Sequence, residues 1–223
     1  MIKENVLKIK ERISLICTKI NRDPNTISVV AVSKGRTIDQ IKEAIDVGIT
    51  DIGENRVQEA VSKYKEIRNT EYARRIKLHM VCHLQTNKVK DAVKIFDLIH
   101  SVDSLHLAEE ISKQASKINK VQDMLLEVKT SPEIAKFGLK PNEVIEVIKD
   151  IVKLKNINIK GLMTIAPVVD NPEKTRPYFR ILRELKDTIN NMPYLSMGMT
   201  DDYQVAIEEG SNMIRLGRAI FEG

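Results

Sequence analysis

The chain predicts an α/β protein: a single (β/α)8 TIM-like barrel with an extra helix ahead of the first strand. Three observations predict it. Short runs rich in Ile, Leu and Val alternate with longer stretches of helical periodicity along the whole of the 223 residues. Eight such runs can be read, and strict β-α alternation forces parallel neighbours joined by right-handed crossovers. No Gly-rich nucleotide turn follows any of them, so eight equal repeats suit a closed barrel better than an open sheet. An open doubly wound sheet is the alternative. No Pro/Gly/Ser linker divides the chain, so residues 1–223 are expected to form one domain.

In order, Ile2, Val6, Ile9, Ile13, Ile16 and Ile20 recur every three or four residues and mark an amphipathic helix over 2–20. Asn21-Arg22-Asp23-Pro24-Asn25 breaks it. The first strand is Ile27 to Ser33, in which five of seven residues are apolar, ending on Lys34. A helix from Thr37 then closes at Gly48, a candidate C′ glycine. The unit repeats with strand 50–54 and a helix through Val57, Ala60, Val61 and Tyr64, after which the charged stretch 68–77 extends the helix or loops off it. Strands 78–83, 98–102, 123–128, 159–165, 194–199 and 213–217 follow. Helices are expected over 87–95, 104–118, 141–152, 177–189 and 203–209. The leading helix is expected to close the outer ring where an eighth helix is missing.

Hydrophobic residues make up 42% and charged residues 30%, which is the balance of a globular protein rather than a disordered chain. Aromatics are 4% and Trp is absent, so the core must be aliphatic. The excess of 36 basic over 31 acidic residues is dispersed among helices without an aromatic-laced basic block, which argues against a nucleic-acid surface. Cys17 and Cys82 show no metal-type spacing, so no metal is expected, and a reduced, cytoplasmic setting is the simplest reading. No apolar run approaches the ~20 residues of a membrane span, and the start lacks a signal-peptide core.

In a barrel the strand ends converge on one mouth. They supply Lys34, Gly53-Glu54-Asn55, His83, Asp103, Lys129-Thr130-Ser131, Thr164, Gly198-Met199-Thr200 and Gly217-Arg218. Hydroxyls and N–H groups after the seventh strand, with Gly217 after the eighth, favour a phosphate; for each glycine alone, tight packing is the competing reading. If Ile214 and Leu216 face the helices, Arg215 points into the barrel, towards a ligand or a structural partner such as Glu127 or Glu54. Position alone leaves Lys34 as either a snorkelling cation or a reactive amine. Burial and nearby cations would leave part of it as free amine, able to attack an aldehyde. These parts fit pyridoxal 5′-phosphate held as a Schiff base, and a Schiff-base sugar-phosphate aldolase would use similar ones.

Several motifs carry a family resemblance: Ala31-Val32-Ser33-Lys34, Gly53-Glu54-Asn55-Arg56-Val57-Gln58-Glu59, His83-Leu84-Gln85-Thr86-Asn87-Lys88 and Ile99-His100-Ser101-Val102-Asp103-Ser104. Gly161-Leu162-Met163-Thr164-Ile165, Arg176-Pro177-Tyr178-Phe179, Leu195-Ser196-Met197-Gly198-Met199-Thr200 and Arg215-Leu216-Gly217-Arg218-Ala219-Ile220-Phe221 complete them in order. The chain resembles the pyridoxal phosphate homeostasis proteins, single-domain barrels similar to the cofactor-binding domain of bacterial alanine racemase. The resemblance implies that Lys34 carries the cofactor. It implies that Ser196, Met199 and Thr200, with the backbone of Gly217 and Arg218, bind the phosphate. It also puts Arg215 opposite the pyridine nitrogen and Asn55 near the ring. Gly35 stands where Thr is usual, Cys82 replaces a usual Gly, and Thr200 a usual Ser. Arg218 stands where a small hydroxyl residue is frequent, and Glu222 interrupts the usual Phe-Gly ending.

In the similar racemases a second base comes from a further domain, and strand eight here is followed by almost nothing. The expectation is therefore a non-catalytic carrier, a monomer that buffers the cofactor and delivers it through transient contact with pyridoxal-dependent apo-enzymes. A racemase-like enzyme is the alternative, and a nucleic-acid-binding barrel a third reading.

Overall fold

Along the first strand, successive residues divide between two apolar surfaces: Ala31 packs outward against the helices, and Val30 and Val32 face the barrel interior. The computed structural model describes residues 1–132 and 137–222 and places this strand as β1 (Ser28–Val32). The others are β2 (Asp51–Glu54), β3 (Lys77–Met80), β4 (Leu98–Val102), β5 (Gln122–Glu127), β6 (Ile157–Met163), β7 (Tyr194–Ser196) and β8 (Met213–Leu216). Neighbours pair in parallel and in chain order, and β8 returns to β1 with Ser28 opposite Met213 and Ala31 opposite Leu216. The sheet is closed, which rules out the open doubly wound alternative.

Around it lie α1 (Ile2–Lys19), α2 (Ile38–Asp46), α3 (Val57–Ile67), α4 (Val89–Ile95), α5 (Leu105–Ser116), α6 (Val144–Ile151), α7 (Arg176–Asp187), α8 (Tyr203–Glu208) and α9 (Arg218–Phe221). α1 buries Ile2, Val6, Ile9, Ile13 and Ile16 and packs between α8 and α2, closing the ring as expected. The one-turn α9 was not expected; the Asn5 side-chain amide ties it to α1 by donating to Ile220 O at 3.0 Å. Thr37 and Gln40 form a reciprocal capping box on α2, and Gly48 at φ 92° ends that helix. The stretch 68–77 loops off rather than extending α3: that helix stops at Ile67, and Glu71–Arg74 forms a single 3-10 turn.

Six strands end one to three residues earlier at the mouth than the apolar runs suggest, β3 stopping at Met80 and β7 at Ser196, whereas β2 and β4 end where expected, at Glu54 and Val102. At β7 the cause is Gly198, whose φ of 94° turns the chain into α8. The closing Gly223 lies outside the described residues. Among the described residues no helix is long and apolar enough to cross a membrane, and no cluster of side chains could hold a metal ion.

Candidate functional site

Lys34 stands in the turn that leaves β1, one residue before Gly35 at φ 70°, a conformation that favours glycine and accounts for its presence there. The expected burial of Lys34 is not found: the side chain is exposed, because the strand stops at Val32 and the turn carries the lysine past the end of the packed interior. The turn itself is held firmly. Ser33 N–H donates to Gly53 O at 2.9 Å, Lys63 Nζ donates to Ser33 O at 2.6 Å, and Gly35 N–H donates to Glu59 Oε1 at 2.7 Å. Lys63 also bridges Glu59 at 2.6 Å and the fully buried Glu54 at 2.9 Å. These groups fix the backbone on both sides of Lys34.

Arg215 is 4% exposed and points into the barrel, with Ile214 and Leu216 facing the helices. Its Nη1 donates to Ser196 Oγ at 2.5 Å and its Nη2 to Thr164 O at 2.8 Å. The structural ion pair with Glu127 or Glu54 is not made among the described residues; Glu54 belongs to Lys63 instead. Burial pushes the Arg215 guanidinium down to about 10, with Asp202 and Glu127 pulling the other way. Glu127, 7% exposed at the end of β5, is pushed up to about 7 by burial and by Asp103, against the pull of Arg215. Beside it, His83 Nδ1 lies 3.2 Å from Asp103 Oδ2, and the Phe137 ring stacks on His83 with centroids 3.7 Å apart.

The segment after β7 and the start of α9 meet at the mouth. Ala219 N–H approaches Thr200 Oγ1 at 3.4 Å, and Arg218 pairs with Asp201 at 2.5 Å. Met199 N–H is engaged by Asp202 Oδ1 at 2.6 Å, so that amide is not open to a ligand. Ser196 is fully buried, its hydroxyl held between Arg215 and His100 below the mouth. Among the described residues the N–H groups of Thr200, Gly217 and Arg218 have no protein acceptor. Gly217 is not demanded by the fold: its φ is ordinary, and a Cβ there would come no nearer than 3.5 Å to Val32 O. Unpaired donors around an open Gly217 fit an anion, and the buried Arg215 fits a polar ring edge. Asn55, half-buried, lines a separate hollow of about 210 Å³ with His83 and Lys88.

The sequence reading gave no role to His79 or Lys63, nor to His100 and Glu59, which entered it only within the family motifs. Strand alternation carried a signal for the two histidines, which fall on inward positions like that of Arg215. No local signal marks the other two, because they reach Lys34 only through the pairing of β1 with β2.

The alanine racemase N-terminal domain profile matches residues 5–223. A pyridoxal phosphate homeostasis protein of Aquifex aeolicus (strain VF5) is 40% identical over 98% of this chain and 96% of its own. PipY of Synechococcus elongatus PCC7942, in a structure with PLP bound, superposes with a TM-score of 0.84 at 31% identity, covering 99% of this chain and 100% of its own. An alanine racemase of Clostridium difficile 630 shares the fold, with a TM-score of 0.72 at 15% identity over 98% of this chain and 56% of its own. The chain belongs to the pyridoxal phosphate homeostasis protein family, built on the alanine racemase N-terminal domain.

Proposed function

We propose that this protein binds pyridoxal 5′-phosphate reversibly, as a Schiff base on Lys34, and so takes part in intracellular homeostasis of that cofactor. The observation that carries the reading is the pairing of a buried, inward Arg215 with the unpartnered N–H groups of Thr200, Gly217 and Arg218 at the same mouth. The N–H groups would hold the phosphate, and Arg215 would offer an N–H to the ring nitrogen. The solved PipY structure with PLP bound supports the choice of ligand.

The cofactor supplies an aldehyde that condenses with an amine, releasing water, and a ring that can draw electrons from a bound substrate. The protein's own residues determine which of these properties is used. The network of Glu54, Glu59 and Lys63 holds the Lys34 turn, and the lysine's exposure keeps the linkage open to exchange. Arg215 would donate to the ring nitrogen without supplying the acidic proton that a carboxylic acid would, and the ring would then be a weak electron sink. That favours storage and release, including delivery to apo-enzymes by a cytoplasmic monomer, over racemisation.

The test is reconstitution with pyridoxal phosphate, borohydride reduction and peptide mapping. The expected product is a single modified peptide containing Lys34, absent from Lys34→Ala. An unchanged adduct in Lys34→Ala, or amino-acid racemisation at enzyme-like rates, would overturn the reading.

A further inference from the structure

The barrel interior is mostly apolar, lined by Val30, Val81, Leu98, Leu125, Met163 and Met213. Through it runs one continuous line of polar contacts. Arg215 Nη1 donates to Ser196 Oγ at 2.5 Å, Ser196 Oγ lies 3.0 Å from His100 Nδ1, and His100 Nε2 lies 2.9 Å from His79 Nδ1. His79 Nε2 lies 3.0 Å from Asp51 Oδ1, a close contact off the straight hydrogen-bond line. His79, His100 and Ser196 are at most 1% exposed, and Asp51 opens β2, at the end of the barrel opposite the mouth.

The two ends fix the direction of every proton between them. A guanidinium only donates and an ionised carboxylate only accepts. Burial opposes the charge on Asp51, but the His79 ring at 3.0 Å and the Thr50 hydroxyl that donates to it, with Lys77 nearby, hold its carboxyl below the usual range. Ser196 accepts from Arg215, so its single proton goes to His100 Nδ1. His100 then carries its hydrogen on Nε2 and donates to His79 Nδ1, and His79 presents Nε2–H to Asp51. The opposite assignment would aim a bare His79 lone pair at a carboxylate and leave the Ser196 proton without an acceptor. A charged His100 is opposed by its complete burial and by His79 and Arg215 beside it.

We propose that His100 and His79 are positioning residues for Arg215, forming a one-way relay that transmits the influence of the Asp51 carboxylate through the barrel to the guanidinium. A buried cation with no carboxylate at ion-pair distance needs strong acceptors. Hydrogen bonds aligned head to tail polarise one another, which makes Ser196 Oγ such an acceptor. With Nη1 held on Ser196 and Nη2 on Thr164 O, the guanidinium keeps a fixed edge for the mouth. The identity of the ligand on that edge rests on the proposed function; the relay does not.

Nitrogen-15 NMR of the ligand-free wild-type protein labelled at histidine tests the relay directly. His83→Gln and His106→Gln variants assign the spectrum by difference. Both interior imidazoles should be neutral with hydrogen on Nε2; an Nδ1–H form of His100, or an imidazolium at either position near neutral pH, would overturn the proposal. His100→Leu fills the space without ring nitrogens, whereas His100→Gln restores an acceptor and a donor. Leu should weaken pyridoxal phosphate binding at least tenfold, and Gln should recover most of the loss. A folded Leu variant with wild-type affinity would reject the positioning role, because a packing role alone would tolerate Leu. Failure of the wild type to bind pyridoxal phosphate would reject the proposed function instead, and the nitrogen shifts would still decide the relay.

Discussion

At Gly198 the backbone φ is 94°, and a Cβ there would stand 2.5 Å from the Ala206 Cβ and 2.9 Å from the Tyr203 Cα. Gly217 has an ordinary φ of −108° and no such neighbour within 3.4 Å. The sequence offers both glycines as parts of one phosphate cradle, and only coordinates separate them, because φ and the approach of α8 are not written in the glycine. Gly198→Ala must strain the turn and displace α8, destabilising the protein by about 2–4 kcal/mol in urea unfolding. Gly217→Ala should stay within about 0.5 kcal/mol of wild type. A methyl group there nonetheless crowds the site where the phosphate is proposed to bind, so pyridoxal phosphate affinity should fall about tenfold, roughly 1.4 kcal/mol. Unchanged affinity in titration would remove close backbone approach at Gly217 from the account.

The helix α3 does more than cover the barrel. Its periodicity marks Val57, Ala60, Val61 and Tyr64 as the packing face; three of these are buried, but Val61 is 42% exposed. Glu59 and Lys63 have the spacing of a solvent-exposed pair on such a helix, which is how pattern alone would assign them. Their real partners, Gly35 and Ser33, become neighbours only when β2 pairs with β1, with Val32 opposite Gly53. Glu54 has no exposed surface, and burial raises its pKa despite hydrogen bonds from Ser33 and Lys63. Lys63→Met leaves that carboxyl without its cation and should destabilise the protein by about 3 kcal/mol at neutral pH. The Glu54→Gln/Lys63→Met double variant should recover most of the loss. A double-mutant cycle in urea with no coupling between the two positions would show that the pair is not a unit.

For the whole molecule, closure of the barrel was legible because it follows from counting repeats, and β1 pairs with β8 as that count requires. The polar line through the interior was not legible. Alternation gives the face of each residue, but the meeting of β3, β4 and β7 across the barrel depends on stagger and tilt. The burial of Glu127 is likewise a property of the closed barrel, and it has a global consequence. Its pKa of about 7 in the folded protein stands above the ordinary 4.5, so the folded state holds that proton more tightly than the unfolded chain does. The stability this contributes is fully present below about pH 4.5 and is lost as pH rises through 7, a difference of up to about 3 kcal/mol. Glu127→Gln is neutral at every pH and escapes the loss. Urea unfolding of the ligand-free proteins should therefore give wild type and variant similar pH slopes below about pH 4.5. Between there and pH 8 their curves should diverge in favour of the variant. Curves that stay parallel across that range would show that Glu127 titrates in the folded protein as it does in the unfolded chain.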